Sequence, residues 1–228
     1  MLISSKRWRH SFSNPKAFTL IELVVVSAIV LIVSLFILFQ QAKFNSSTLL
    51  RSLTYSLALS VRQAQVFGVS VRESTPGSGV FSSGYGIYLP SGTITQYYLF
   101  PDLNGNGAYD SASEGPPIPT VFTLGNGYVL SKFCATRVGG ASQECTAGTA
   151  TLIDTLTIYF RRPNPDACFA TNQASGACAS GTTAAYSAAY IQLKSNGNQD
   201  TRSIKISSTG QIAVCAPGTD IVTLPVSC

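Results

Sequence analysis

The chain has 228 residues, 45% of them hydrophobic and only 11% charged, with a formal net charge of +5. That charge is uneven: Lys6, Arg7, Arg9 and Lys16 lie in the first 17 residues, which hold no acid, leaving eleven Lys and Arg against ten acids downstream. The basic balance is therefore no argument for nucleic-acid binding, and with His10 the single histidine, residues beyond 17 have no imidazole for a Ser-His-Asp triad, a general base or a metal site.

From Phe18 to Phe39 the chain is apolar, and 17 of these 22 residues are Leu, Ile, Val or Phe. As a helix this length spans a bilayer core. Each such residue contributes roughly −0.3 to −0.6 kcal/mol to insertion, so the sum, on the order of −5 to −10 kcal/mol, outweighs one acid near the end. The basic residues before it place the N-terminus in the cytoplasm and everything after Phe39 outside. A secretory signal core is shorter, and the polar Gln40-Gln41-Ala42-Lys43 that follows offers no small-x-small cleavage site. Glu22 is the one ionisable residue in the span, and such a residue marks a functional site by default.

Ala17-Phe18-Thr19-Leu20-Ile21-Glu22 resembles the N-terminal motif of type IV pilins and type II secretion pseudopilins. The resemblance implies a leader, residues 1–17, that prepilin peptidase removes between Ala17 and Phe18, and methylation of the new Phe18 amine. It also implies that Glu22, fifth in the mature chain, meets the N-terminal amine of a neighbouring subunit. A buried carboxylate needs a paired cation, and a freed amine supplies one only in an assembly. The family carries Gly before the cut, and this chain departs from it with Ala17. The alternative is an interfacial Glu in an ordinary signal anchor.

Beyond residue 39, Leu50, Leu53, Leu57, Val61, Ala64 and Val71 recur at helical spacing, and Pro76-Gly77-Ser78-Gly79 is the first strong stop. The spacing predicts one long helix, membrane-spanning over 18–39 and amphipathic over 40–75. From 76 to 228 the period changes to two. Strands are predicted at 84–89, 93–100, 120–124, 127–133, 156–160, 190–194, 203–207 and 211–214. Turns are predicted at Pro90-Ser91-Gly92, Asn196-Gly197-Asn198 and Ser208-Thr209-Gly210. The fold class is α+β: a long N-terminal helix packed on an antiparallel sheet or small sandwich. Residues 202–212 resemble the strand-turn-strand ending of GspH/FimT-like minor pseudopilins. Residues 170–189, rich in Ala, Ser, Gly and Thr, read as an exposed loop.

Two constellations carry chemistry. Calcium takes six to eight hard oxygens on a sharply turning loop. Asp102, Asn104, Asn106, Gly107 and Asp110 match positions 1, 3, 5, 6 and 9 of an EF-hand-type loop, with the Ala108 carbonyl at position 7. Position 12 is Ser113, and Glu114 comes one residue late. FimT-like pilins often carry loops of this kind; the competing reading is a Gly/Asn turn between strands. The six cysteines, all beyond residue 133, suit an oxidising compartment. Neighbour pairing would join Cys134 to Cys145, Cys168 to Cys178 and Cys215 to Cys228, one of 15 possible connectivities.

The sequence thus points away from an enzyme and towards a minor pilin or pseudopilin. Its partners would be other pilin subunits, prepilin peptidase, an inner-membrane assembly platform and membrane lipid, with calcium as the one possible cofactor. It would be a single-pass inner-membrane protein until it enters a pilus or pseudopilus. The rivals are a tip pilin binding DNA through Arg137, Arg161, Arg162, Lys194, Arg202 and Lys205, and a membrane-anchored surface domain that never polymerises.

Overall fold

The computed structural model describes residues 18–91, 95–114, 119–140, 142–149, 151–174, 178, 184–195, 200–223 and 228. The leader with Ala17, the whole Asn196-Gly197-Asn198 turn and Gly92 lie outside the described residues. The chain divides into two units, residues 1–43 and residues 44–228. One helix, α1 (Leu20–Val69), contributes to both.

In the second unit the helix buries Leu50, Leu57, Val61 and Ala64, with Leu49, Leu53, Ala58 and Phe67 packed beside them. These positions recur at the three- and four-residue steps of one helix face. Arg51, Tyr55, Leu59 and Arg62 lie outside that stripe and are exposed. Thr54, buried on the same face, satisfies its hydroxyl on the Leu50 carbonyl at 2.7 Å.

The stop signal at Pro76 predicts a longer helix than the one observed. The helix ends at Val69, and Val71, expected on the buried stripe, is exposed. Near this end, at Gly68, helix and sheet approach so closely that a Cβ there would strike the Phe160 backbone and its Cβ. The chain then folds back, with the Arg72 guanidinium over the Phe67 ring at 3.8 Å and the Tyr85 hydroxyl donating to the Glu73 carbonyl at 2.8 Å.

The remaining elements are β1 (Tyr85–Pro90), β2 (Gln96–Pro101), α2 (Ser111–Glu114), β3 (Thr120–Thr123), β4 (Tyr128–Arg137), β5 (Gln143–Cys145), β6 (Thr155–Phe160), β7 (Ala167–Thr171), β8 (Tyr186–Ser195), β9 (Thr201–Ser207) and β10 (Ile212–Val214). They form two five-stranded antiparallel sheets, ordered β3-β2-β1-β6-β7 and β10-β9-β8-β4-β5. Alternate residues of β1, β6, β8 and β9 (Ile87, Leu89, Ile158, Phe160, Ala189, Ile191, Ile204 and Ile206) meet the helix stripe in one core.

Three short elements escape a reading based on apolar period. In β5 only Cys145 is apolar, while β7 and the start of β8 draw on the Ala-rich stretch expected to be loop. There Ala170, Ala188 and Ala189 are buried, so small side chains serve close packing. Residues 175–177 and 179–183 lie outside the described residues. The Ser208-Thr209-Gly210 turn does join β9 to β10: the Gly210 amide donates to the Ser207 carbonyl, and a Cβ at Gly210 would strike the Pro165 carbonyl and the Gln65 amide.

A buried polar cluster joins the two sheets. The Tyr186 hydroxyl donates to Glu144 Oε2 at 2.6 Å and lies 2.7 Å from Thr171 Oγ1, and Arg137 closes an ion pair with Glu144 at 2.7 Å. The disulfides join Cys134 to Cys145, Cys168 to Cys178 and Cys215 to Cys228. The first links direct cross-strand partners of β4 and β5.

The helix face makes a stability prediction. Leu57 is 0% exposed and Leu59 is 68% exposed. Leu57→Ala is expected to destabilise residues 44–228 by about 2–5 kcal/mol, because it leaves a cavity. Leu59→Ala is expected to change stability by no more than about 0.5 kcal/mol. Denaturant unfolding of both variants checks the contrast.

Candidate functional site

The first site is the start of α1. Thr19 precedes the helix and accepts the Glu22 amide on its hydroxyl at 3.3 Å, while its carbonyl accepts the Leu23 amide at 3.2 Å. Thr19-x-x-Glu22 therefore has the spacing of a capping box, with an acid in the first turn where the helix dipole favours it. That local fit was overlooked in the sequence, although Ser/Thr-x-x-Glu is its usual mark.

Leu20–Phe39 is a 20-residue stretch, long and apolar enough to cross a membrane, and every residue of it is exposed. At 1.5 Å per residue it measures about 30 Å, the thickness of a hydrocarbon core. Its backbone groups are satisfied within the helix, and the Ser27 hydroxyl returns to the Val24 carbonyl at 2.9 Å. Glu22 is different, because a carboxylate has no internal partner of that kind. Among the described residues the only ion pair is Arg137–Glu144, so nothing there neutralises Glu22.

The second site is the loop from Asp102 to Glu114. It follows β2 and lies over the outer face of the first sheet. Asp102 Oδ1 accepts the Gly105 amide at 2.7 Å and Oδ2 accepts the Gly107 amide at 2.9 Å. Asn104 Oδ1 accepts the Asn106 amide and Asn106 Oδ1 accepts the Ala108 amide, two successive Asx turns. Asp110 caps α2 by accepting the Ala112 amide at 3.1 Å. Glu114 ties the ends together: its carboxylate accepts the Leu103 amide at 2.8 Å and the Asp110 amide at 3.0 Å.

Gly107 sits at φ 73° against Cys178, where a Cβ would collide, so the Cys168–Cys178 disulfide bears directly on the loop. Tyr109 pins the other side. Its ring stacks on Tyr88 at 4.4 Å and on Tyr98 at 5.9 Å, and meets the edge of Phe100 at 5.2 Å. Sequence reasoning missed this aromatic seat. The available signal was Tyr88 and Tyr98, which are cross-strand partners on β1 and β2.

Asp102 and Glu114 are 1% and 0% exposed. Burial pushes the Glu114 carboxyl up to about 7; the Asp110 and Leu103 amides oppose this, and the Asp102 charge reinforces it. The Tyr159 phenol beneath them is also raised, first by burial and then by Asp102. The donors are all oxygen, which suits calcium in kind. Yet each oxygen of Asp102 and Glu114 already holds a loop amide, Ser113 makes only a 3.5 Å contact with Asn104, and no three acids, histidines or cysteines gather among the described residues. The turn stands on its own hydrogen bonds.

The six cations suggested for DNA do not share a face. Arg137 is paired with Glu144, Arg162 donates to the Phe81 carbonyl, and Lys205 lies over the Tyr190 ring. Arg161 and Arg162 follow the first sheet, whereas Lys194, Arg202 and Lys205 belong to the second.

Comparison with known families agrees with the helix-start geometry. Residues 12–38 match the prokaryotic N-terminal methylation motif. The match is confined to the N-terminal stretch that includes the start of α1, supports a pilin-like N-terminus there, and is consistent with single-pass membrane anchoring. No curated protein and no solved structure matches the chain.

The Glu114 environment sets a pH dependence. The folded chain keeps a proton that the unfolded chain releases near 4.5, so the associated stability is complete below about 4.5 and is lost as pH rises through about 7. The loss is at most about 3 kcal/mol. Denaturant midpoints from pH 5 to 8, with calcium chelated, are expected to fall in the native chain and to flatten in Glu114→Gln. Repeating the series with calcium tests the metal reading, since a bound cation would restore stability selectively at pH 8.

Proposed function

We propose that the chain is a minor pilin or pseudopilin. It is a structural subunit held in the inner membrane by residues 18–39, cut by prepilin peptidase between Ala17 and Phe18, and inserted into a filament through its N-terminal helix. The observation that carries this reading is Glu22, an acid in the first turn of an otherwise apolar, exposed 20-residue helical stretch and the fifth residue after the proposed cleavage point. Within a filament the neighbouring helices bury one another's apolar surface, and the Phe18 amine of one subunit neutralises Glu22 of the next. The two-sheet unit faces outward.

The preference for a minor subunit rests on the β9–β10 hairpin, which resembles the GspH/FimT ending, and on three disulfides in a loop-rich domain. Calcium at Asp102, Asn104, Asn106, Ala108, Asp110 and Glu114 is a separate, structural proposal: an ion there would stiffen the loop and take part in no chemistry. DNA binding has no grouped cationic face to support it.

Intact-mass analysis of the membrane-extracted protein tests processing. A mass beginning at methylated Phe18 is expected. One beginning at Met1, in a cell with active prepilin peptidase, would overturn the assignment.

A further inference from the structure

The outer face of the second sheet is built unlike its inner face. Cross-strand register places Thr136 beside Gln143 and Ala188, and Ser203 beside Gln192, on the side that carries the Cys134–Cys145 disulfide and Tyr190. Among the described residues, the buried side-chain atoms without a hydrogen-bond partner are Thr136 Oγ1, Gln143 Nε2 and Oε1, and Ser203 Oγ. These residues are 6%, 9% and 0% exposed. All four atoms therefore belong to this one face.

Residues 215–223 run across it. The Cys215 amide donates to the Ser203 carbonyl at 2.9 Å, the Gly218 amide to the Thr201 carbonyl at 3.1 Å, and Gln192 Nε2 to the Thr219 carbonyl at 3.2 Å. Ile221 is fully buried against Cys134, Cys145, Ala188 and Tyr190, with Val222 beside it. Ile221, Val222 and three hydrogen bonds favour closure, while Thr136, Gln143 and Ser203 keep buried polar atoms without a partner. The cost of a buried, unpartnered polar group is comparable to the gain from one apolar side chain, so the orphaned atoms offset part of what closes the segment.

Charge indicates what else would fit. Lys132 and Lys205 stand on the same face, through their register with Gln192 and Tyr190. Asp220 is the acid that the segment brings to Lys132, which helps hold its carboxyl below the usual range after the Val222 amide and the Thr223 hydroxyl. The segment also engages strand carbonyls with its own amides, which a nucleic-acid backbone cannot do.

We propose that residues 215–223 form a displaceable strap. The face beneath it would dock an extended, acid-bearing segment of another polypeptide, which replaces Asp220 and Ile221 and supplies partners to Thr136, Gln143 and Ser203. The proposal does not depend on filament assembly. Its physical content is that the strap opens while both sheets stay folded.

A thiol-accessibility experiment tests it. The six native cysteines are paired, so one engineered thiol reports alone in the full chain, held in detergent with its disulfides intact. Ser203→Cys is compared with Ala189→Cys, equally buried but on the inner face of β8; Thr136→Cys serves as a second reporter should Ser203→Cys fail to fold. Maleimide is expected to react with the outer-face thiol at least tenfold faster than with Ala189→Cys. The peptide Gly-Thr-Asp-Ile-Val should slow that reaction at least threefold, whereas its Asn counterpart and duplex DNA should not. Equal rates at the two positions, no protection by the acidic peptide, or protection by DNA as strong as by the peptide would each overturn the proposal.

Discussion

A carboxylate cannot stay charged in hydrocarbon without a cation beside it, and that constraint organises this protein. Glu22 sits one turn into a helix whose next 17 residues are apolar or small and hydroxylated, and among the described residues no base reaches it. The capping geometry around Thr19 explains why an acid is tolerated at the helix start, but it neutralises nothing. On the proposed reading, an amine from another subunit would supply the partner that this carboxyl lacks among the described residues. Such a pairing would give the helix a reason to assemble beyond apolar contact and would fix register, since the Phe18 amine and Glu22 are four residues apart.

In the second unit the same helix buries one face in a core. Its apolar residues contract from every side to one stripe, Leu50, Leu57, Val61 and Ala64, and two antiparallel sheets complete the core around that stripe. Gly68 lets the helix end directly against the Phe160 backbone. Outside the core, each sheet carries a covering on its outer face: the Asp102–Glu114 loop on the first and residues 215–223 on the second. The two coverings differ in kind. The loop satisfies its buried acids with its own amides and is seated on the sheet by a stack of tyrosines, whereas the segment over the second sheet leaves polar groups without partners.

The helix and the main strands were legible because long apolar runs and strict alternation are strong signals. All eight strands predicted from period two overlap an observed strand by most of their length, and 190–194 covers half of the ten-residue β8. What escaped was set by tertiary contact. The helix ends at Val69, beside a close approach of Gly68 to Phe160, about ninety residues away in sequence. β5 has a cross-strand disulfide where a reader looks for Val or Ile. The buried alanines of β7 and β8 looked like loop because small residues suit both settings. At the loop, the residue types were legible but their use was not: Glu114 stands one place beyond the metal-binding position, and from there it bonds two amides at once. The motif at Phe18–Glu22 was the most readable feature, since it needs only a cleavage residue, an apolar run and one misplaced acid.

The account depends on Glu22 finding its cation in a neighbouring subunit. The direct test is to replace Glu22 with Ala in cells that make the filament and to compare the share of the protein in sheared fibres with the share left in the membrane. The account predicts processed Glu22→Ala protein at normal abundance in the membrane, with incorporation into fibres reduced at least tenfold. Incorporation equal to that of the native chain would contradict it.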